Sequence, residues 1–131
     1  MQYLEYDVDD YICKYPAGKE RDREIMRVAE GMLDCIVQMH VKTLSVHRDI
    51  KPPNFRIHHN EVYVMDFGIA TEYFKDGQHI PASRDQPIMG SMRYVSHWTH
   101  EGNDLSRRDD IEMLIYSIMK LLGENPKEEL W

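Results

Sequence analysis

The feature that most constrains the fold is an apolar stripe between Glu20 and His40. Its members are Ile25, Val28, Ala29, Met32, Ile36 and Met39. They recur at steps of three and four residues, which places them on one face of an α-helix. The stripe predicts one long amphipathic helix that Gly31 weakens slightly. A chain of 131 residues can build one domain with a hydrophobic core around this helix, but not two.

The segments around this helix predict an α+β fold that is mainly helical. Asp7–Tyr15 is typical of a short helix that ends near a proline, and Thr43–Pro53 is typical of a loop. Phe55–Ile57 and Val62–Met65 are rich in strand-forming residues, and the polar residues between them predict a tight hairpin. The segment Thr71–Gly102 is long, polar and irregular, and connections of that length are usually functional or disordered.

A second helix begins at Ser106, where Ser106 and Asp109 have the spacing of a capping box. The residues from Asp110 to Leu122 are apolar on nearly every side, and such a helix needs burial on every side. The nine residues after Leu122 are too few to supply that cover. We therefore expect an incomplete domain, or a partner protein that covers this central helix.

Composition and charge exclude several classes of function. The net charge of −7 argues against a nucleic-acid-binding protein, in which lysine and arginine must dominate one face. Cys13 and Cys35 do not form a Cys-x-x-Cys pair and the sequence begins without a signal-peptide pattern, which favours a reducing compartment. The most apolar stretch, Ile111–Leu122, is too short to span a bilayer. We therefore expect a cytoplasmic or nuclear protein that does not contact a membrane.

The residues that carry chemistry surround the predicted hairpin. If the hairpin pairs around Asn60, then Asn54 and Asp66 lie opposite each other at its open end, and their oxygens suit Mg²⁺. Asp49 and Lys51 lie just upstream, where a carboxylate can accept a hydroxyl proton and an ammonium can neutralise a phosphoryl group. Acid, cation and metal ligands in one concave place describe phosphoryl transfer.

Two motifs in this region resemble those of protein kinases. The run from His47 to Asn54 resembles the catalytic loop His-Arg-Asp-x-Lys-x-x-Asn, and Asp66-Phe67-Gly68 resembles the metal-binding motif of the same enzymes. Either motif alone is a modest signal. The two in order, with a hairpin between them, are highly specific.

Later motifs resemble the casein kinase 1 group with its tau-tubulin and vaccinia-related relatives. They are Gln78-His79-Ile80-Pro81, Gly90-Ser91-Met92-Arg93-Tyr94-Val95-Ser96, Thr99-His100 and Ser106-Arg107-Arg108-Asp109-Asp110. Like that group, the chain lacks an Ala-Pro-Glu ending to the activation segment. The resemblance covers almost the whole chain and implies that residues 1–131 are part of a kinase catalytic domain. That part is the C-terminal lobe from the hinge, at Leu4-Glu5-Tyr6, to the central helix, without the N-terminal lobe and the last helices.

The resemblance also implies roles for individual residues in a serine/threonine kinase that uses ATP and Mg²⁺. Asp49 would be the catalytic base and Lys51 would contact the transferred phosphate, while Asn54 and Asp66 would hold Mg²⁺. Three further residues would have supporting roles: Ser91 would steady Asp49 and Lys51, Asp110 would brace the catalytic-loop backbone, and Arg93 would help to read acidic or phosphorylated protein substrates.

Some features favour an alternative, a truncated pseudokinase that acts as a binding or regulatory module. The glycine-rich loop, the strand lysine and its glutamate partner are absent from this chain. Arg56 stands where kinases usually place a leucine under the adenine ring, although an arginine stem can also cover apolar surface. We expect little or no kinase activity from the 131 residues alone. A third interpretation, a decaying gene copy, is disfavoured because Asp49, Lys51, Asn54 and Asp66 are all intact.

Simpler interpretations exist for the same residues. Asp49 and Asp66 taken singly could be turn or cap acids, an interpretation that their joint context disfavours. His58-His59 could suggest a metal site, but a polar hairpin tip is favoured because no cysteine or acid cluster accompanies the pair at ligand spacing.

Overall fold

The computed structural model describes residues 6–123. The helices are α1 (Val8–Ile12), α2 (Lys19–Gln38), α3 (His97–His100) and α4 (Arg107–Leu121). The strands are β1 (Tyr6–Asp7), β2 (Ser45–Val46), β3 (Phe55–His58), β4 (Glu61–Val64), β5 (Thr71–Glu72), β6 (Phe74–Lys75) and β7 (Gln78–His79). A π-helical turn spans Met39–Thr43, and a 3₁₀ turn spans Pro52–Asn54. These elements confirm the predicted α+β class.

The apolar stripe of α2 forms the centre of the core. All six residues of the predicted stripe are buried, and Ile25, Val28 and Met32 are completely inaccessible to solvent. The stripe packs against buried residues of α1, of β3 and of α4: Val8, Ile12, Phe55, Ile57, Met113, Leu114 and Leu121. The long helix therefore organises the whole domain, as the periodicity of the sequence predicts.

The strands form small antiparallel sheets. β3 lies between β1 and β4 in a three-stranded sheet, while β2 pairs with β5 and β6 pairs with β7. The β3–β4 hairpin has a two-residue turn, in which His59 and Asn60 both have a positive φ (48° and 61°). Such turns match the natural twist of paired strands. This turn fixes the register of the hairpin and hence the position of the residues at its open end.

The hairpin packs closely on α2 because α2 carries a glycine at the point of contact. A Cβ atom built on Gly31 would lie 2.6 Å from Cγ2 of Val62 on β4. A branched valine has little freedom to turn away from such a contact. Gly31 thus lets the hairpin approach the helix, which adds a packing role to the weakening effect that the sequence predicts.

The long irregular segment contains more structure than expected. The β6–β7 hairpin lies within it and turns at Asp76 and Gly77, both with positive φ (52° and 76°). α3 follows and is capped by the Ser96 hydroxyl, which accepts a hydrogen bond from the Thr99 amide. This segment is therefore a folded connection between the β3–β4 hairpin and α4.

Helix α4 is packed on one side and exposed on the other. Its predicted capping box is present, and the Asp109 carboxylate accepts a hydrogen bond from the Ser106 amide (2.6 Å). Met113 and Leu121 are buried, whereas Ile115 and Met119 are about half exposed (51% and 52%). Within residues 6–123, this face is therefore only partly covered, and Met119 lines a cavity together with Met92 and Val95.

Two further findings concern the predicted boundaries. The short first helix is present over Val8–Ile12, and the Asp7 carboxylate caps it by accepting a hydrogen bond from the Asp10 amide (2.8 Å). The predicted hinge falls mainly on Leu4 and Glu5, which lie outside the described residues. In the part of the chain that the structure describes, no helix combines the length and apolarity needed to cross a bilayer.

Candidate active site

The buried carboxylate of Asp110 on α4 holds the loop that connects β2 to the 3₁₀ turn. Asp110 is completely inaccessible to solvent, and it accepts hydrogen bonds from the backbone amides of His47 and Arg48 (2.9 Å each). A carboxylate buried in this way needs such partners, because an unpaired buried charge is very costly. Arg48 has a positive φ of 71°, so the loop makes a strained turn that Asp110 stabilises.

A third partner of Asp110 was not predicted from the sequence. The Nε2 atom of His40, in the π-helical turn that follows α2, lies 2.7 Å from the Asp110 carboxylate. The backbone carbonyl of His40 also accepts a hydrogen bond from the hydroxyl of Tyr73 (2.6 Å). Because His40 and Asp110 are 70 residues apart, no local pattern indicates their contact. The loop is thus tied to both long helices.

Asp49 points its carboxylate into a cluster of polar groups. One oxygen accepts hydrogen bonds from the amide and the hydroxyl of Ser91 (3.0 and 2.9 Å). The other lies 3.2 Å from Nδ2 of Asn54 and 3.4 Å from Nζ of Lys51. The structure therefore brings Asp49, Lys51 and Asn54 together.

These contacts set the ionisation of Asp49. Burial raises the pKa of this carboxyl, but the hydrogen bonds from Ser91 and Asn54 and the charge of Lys51 together outweigh burial. The net result is a pKa below the usual value for aspartate. Asp49 is therefore a carboxylate at neutral pH, able to accept a hydrogen bond or a proton.

Ser91 connects Asp49 to Lys51. The glycine before it, Gly90, lets the backbone pass close enough to the loop for Ser91 to reach both residues. The Lys51 ammonium donates to the Ser91 hydroxyl oxygen (2.6 Å), and the same hydroxyl donates to Asp49. Gly90 has a positive φ of 87°, and a Cβ atom there would lie 2.6 Å from the carbonyl oxygen of Arg48. Only glycine lets the segment before Ser91 pass this close to the loop.

The hairpin places Asn54 one position away from the predicted register. Phe55 pairs with Val64, and the Met65 amide donates to the carbonyl of Asn54 (2.7 Å). Asn54 thus lies opposite Met65, so the prediction that it lies opposite Asp66 is wrong by one residue. The cause is the turn, which is centred between His59 and Asn60 rather than on Asn60. Asp66 lies two residues after the end of β4, next to Met65, which is hydrogen-bonded to Asn54.

Asn54 and Asp66 each carry a side-chain oxygen of the kind that binds a hard cation. The Asn54 amide nitrogen donates to the Asp49 carbonyl (2.8 Å), which turns its side-chain oxygen away from Asp49. Asp66 has a positive φ of 57°, and its Oδ1 atom accepts a hydrogen bond from the Gly68 amide (3.2 Å). Amide and carboxylate oxygens are the ligands that Mg²⁺ prefers.

Clusters that would hold a metal without help from a substrate are absent between residues 6 and 123. No group of three or more histidine, cysteine, aspartate or glutamate side chains is found there. Mg²⁺ is commonly bound by one or two carboxylates together with substrate phosphates, so a site with few protein ligands is normal for it.

The segment that carries Asp66 is fastened to the loop by two further side chains. The His47 ring lies beside the Phe67 ring, with a centroid distance of 5.6 Å, and its Nε2 is 3.0 Å from the Met65 carbonyl. The Nε atom of Arg48 donates to the carbonyl of Ile69 (2.6 Å). The sequence pattern indicates neither of these contacts, although His47 and Arg48 both stand in the catalytic-loop motif.

Arg56 lies on the face of β3 that also carries Asp7 and Tyr63 across the sheet. Its side chain is half-buried, and one guanidinium nitrogen donates to the carbonyl of Pro53 (2.5 Å). The guanidinium therefore folds back along its own strand towards the 3₁₀ turn.

Comparison with known proteins supplies the family. No protein-family model matches the chain. A probable casein kinase I homolog of Encephalitozoon cuniculi is 36% identical to it over 123 residues, which is 92% of this chain. The chain is a casein kinase 1-like sequence. It spans 38% of the length of that relative. The fold agrees with part of a kinase C-terminal lobe that carries a β-hairpin beside the catalytic loop.

Proposed function

We propose that this casein kinase 1-like chain is the part of a serine/threonine protein kinase catalytic domain that receives the hydroxyl substrate. The observation that carries the proposal is the contact of the Asp49 carboxylate with Ser91, Asn54 and Lys51 in one cluster. In this proposal residues 1–131 are a partial catalytic domain, and the ATP-covering lobe belongs to other sequence.

The proposed reaction transfers the γ-phosphoryl group of ATP to a serine or threonine hydroxyl of a protein. The hydroxyl oxygen forms a bond to the γ-phosphorus, the bond from that phosphorus to the bridging oxygen breaks, and ADP leaves. Asp49 orients the hydroxyl and accepts its proton, because its depressed pKa keeps it ionised. Lys51, which is 3.4 Å from Asp49, offsets negative charge on the moving phosphoryl group.

Asn54 and Asp66 are the residues that would hold Mg²⁺ in this site. Bound there, Mg²⁺ would neutralise charge on the phosphates of ATP. The hydrogen bond from Asn54 to the Asp49 carbonyl ties the metal ligand to the catalytic loop. Likewise, the Gly68 amide holds the Asp66 carboxylate in one orientation.

Acidic or phosphorylated protein substrates suit the surface next to Ser91. A cavity of about 400 Å³ there is lined in part by Arg93, His97 and His100. The positive charge of Arg93 in this lining supports negative charge in the substrate. We further propose that the protein acts in the cytoplasm or nucleus.

The alternative proposal is a pseudokinase that binds partners without catalysis. The observation that favours it is Arg56, which stands where kinases usually place a leucine under the adenine ring and whose guanidinium donates to the carbonyl of Pro53. The exposed side of α4 at Ile115 and Met119 also suits a partner protein. Under this alternative the cluster around Asp49 has only a structural role.

An exchange of segments separates the two proposals. The matched segment of the Encephalitozoon relative would be replaced by this chain, and transfer of labelled phosphate from ATP to an acidic serine peptide would be measured. Activity that requires Mg²⁺ and is lost in the Asp49→Asn and Asp66→Asn variants supports the kinase. A chimera that melts cooperatively but transfers no phosphate, beside an active unmodified relative, supports the pseudokinase.

A further inference from the structure

A groove runs between α2 and the β3–β4 hairpin and is separate from the residues around Asp49. It measures about 460 Å³, and its walls carry Glu30 and Asp34 on α2 and Glu61 on β4. Gly31 and Val62 form its floor, where the missing Cβ atom of Gly31 brings helix and hairpin together. The close approach that the glycine allows therefore defines the floor between the two acidic walls.

The carboxylates of this acidic groove are not neutralised by neighbouring side chains. Glu30 and Asp34 take part in none of the ion pairs formed within residues 6–123. The cation of the groove, Arg27, is already engaged by Glu24 (3.0 Å) and by the carbonyl of Asn60 (2.9 Å). Exposed carboxylates on facing walls therefore leave a negative potential that attracts cations.

At the end of the groove near Gln38, the lining changes from acidic to apolar. A second cavity of about 530 Å³ begins there and shares Cys35, Gln38, Glu61 and Val62 with the first. Its own walls include Met39, Val64 and Phe67, and Phe67 is 53% exposed. They also carry the cation Lys42, whose ammonium donates to the side-chain oxygen of Gln38 (3.2 Å). The two cavities thus adjoin along these shared residues, and together they make a depression with an acidic half and a mainly apolar half.

We propose that this depression binds a basic peptide segment of a partner protein that carries apolar side chains next to its arginines or lysines. The basic side chains would lie between Glu30, Asp34 and Glu61, and the apolar ones would cover Phe67 and Val64. Charge complementarity selects this occupant over an acidic segment, and the apolar half distinguishes it from a purely basic one. The proposal concerns binding and does not depend on phosphoryl transfer.

The test uses the 131-residue chain and a fluorescent synthetic peptide of three arginines, a two-residue spacer and two leucines. Binding is followed by fluorescence anisotropy at low and high salt. We expect binding that weakens with salt, because exposed charge pairs are screened. A peptide with glutamates in place of the arginines should not bind. A peptide with serines in place of the leucines should bind at least about fivefold more weakly, because it buries less apolar surface.

A matched pair of double variants locates the site. Glu30→Gln with Asp34→Asn removes two charges from the groove, and Glu20→Gln with Asp22→Asn removes two charges from the first turn of the same helix. The groove variant should bind about fivefold more weakly, as two lost exposed ion pairs predict, and the control should bind as the unmodified chain does. Glu61→Gln on the hairpin should weaken binding in the same direction, which tests the opposite wall independently.

Several outcomes would overturn the proposal. Equal weakening in both double variants would show that only the overall net charge attracts the peptide. Unchanged binding in the groove variant, or equal binding of the glutamate peptide, would exclude the acidic groove. Loss of binding in Ile115→Lys with Met119→Lys, with no loss in the groove variants, would place the peptide on α4.

Discussion

Replacement of Asp110 by asparagine should remove a large part of the stability of this domain. The buried carboxylate faces three groups: the amide of His47, the amide of Arg48 and the ring of His40. Asparagine offers one oxygen, and its NH₂ group would face at least one of these donors. A lost hydrogen bond to a charged group costs about 1.5–3 kcal/mol. A donor left unpaired in a buried place adds about 1–3 kcal/mol, so we expect a loss of about 3–5 kcal/mol.

Urea unfolding followed by far-UV circular dichroism measures this loss. With an m-value of about 2 kcal/mol/M, the midpoint should fall by about 1.5–2.5 M. Asp34→Asn is the matched control, because it makes the same chemical change at an exposed position on α2 without an ion pair among the described residues. It should change the free energy of unfolding by less than about 0.5 kcal/mol. An Asp110→Asn midpoint as high as that of the control would refute the reasoning that the carboxylate fastens the catalytic loop.

Three other predictions follow from single contacts. Gly31→Ala should lower the free energy of unfolding by about 1 kcal/mol, because overpacking against the hairpin outweighs the gain in helix propensity. Ser91→Ala should raise the pKa of Asp49, measured by carboxyl-carbon NMR, because the carboxylate loses the hydroxyl donor. Ile115→Lys with Met119→Lys should reduce self-association in sedimentation velocity, because both side chains are about half exposed (51% and 52%).

Each of these predictions has a control. Glu30→Ala on the exposed side of α2 is the control for Gly31→Ala. If the Gly31→Ala variant were more stable than the unmodified chain, Val62 would have moved away from the new methyl group without a loss of free energy. In the unmodified chain, the depressed pKa of Asp49 adds stability at neutral pH, and that stability is lost as the pH falls through the folded-state pKa. In the Ser91→Ala variant, the free energy of unfolding should therefore fall by less between neutral and acid pH than in the unmodified chain. The same dependence of unfolding free energy on pH in both proteins would contradict this. For α4, a monodisperse unmodified chain would show that its exposed face does not drive association.

The sequence predicted the elements of this fold better than the contacts between them. The stripe of α2 and the capping box of α4 are local patterns, and local patterns determine helices directly. The pairing of β1 with β3 joins Tyr6 to Ile57, and no pattern within either short strand indicates the other. The β6–β7 hairpin had a local signal, the dipeptide Asp76-Gly77, which the overall polarity of the segment concealed.

For the site, the motifs predicted which residues meet, but not how the hairpin brings them there. Asn54 is one position away from the expected register because His59 as well as Asn60 has a positive φ, which is uncommon for histidine. The contact of His40 with Asp110 depends on how α2 packs relative to α4, which only the tertiary structure determines. The acidic groove likewise forms only where α2 packs on the β3–β4 hairpin, and the sequence patterns of the two elements do not indicate that contact.

The central claim is that Asp49 acts in phosphoryl transfer rather than only holding the loop. The most direct measurement is kcat for phosphorylation of an acidic serine peptide by the chimera with the Encephalitozoon relative, with and without Asp49→Asn. Asparagine keeps the shape of aspartate but cannot accept the proton, so we predict a fall in kcat of about 10²- to 10⁴-fold in a variant that still melts cooperatively. Its melting temperature should fall only modestly, because the Ser91 hydrogen bonds lose a charged acceptor. An equal kcat in the two proteins would contradict the proposed role of Asp49 and with it the account of this site.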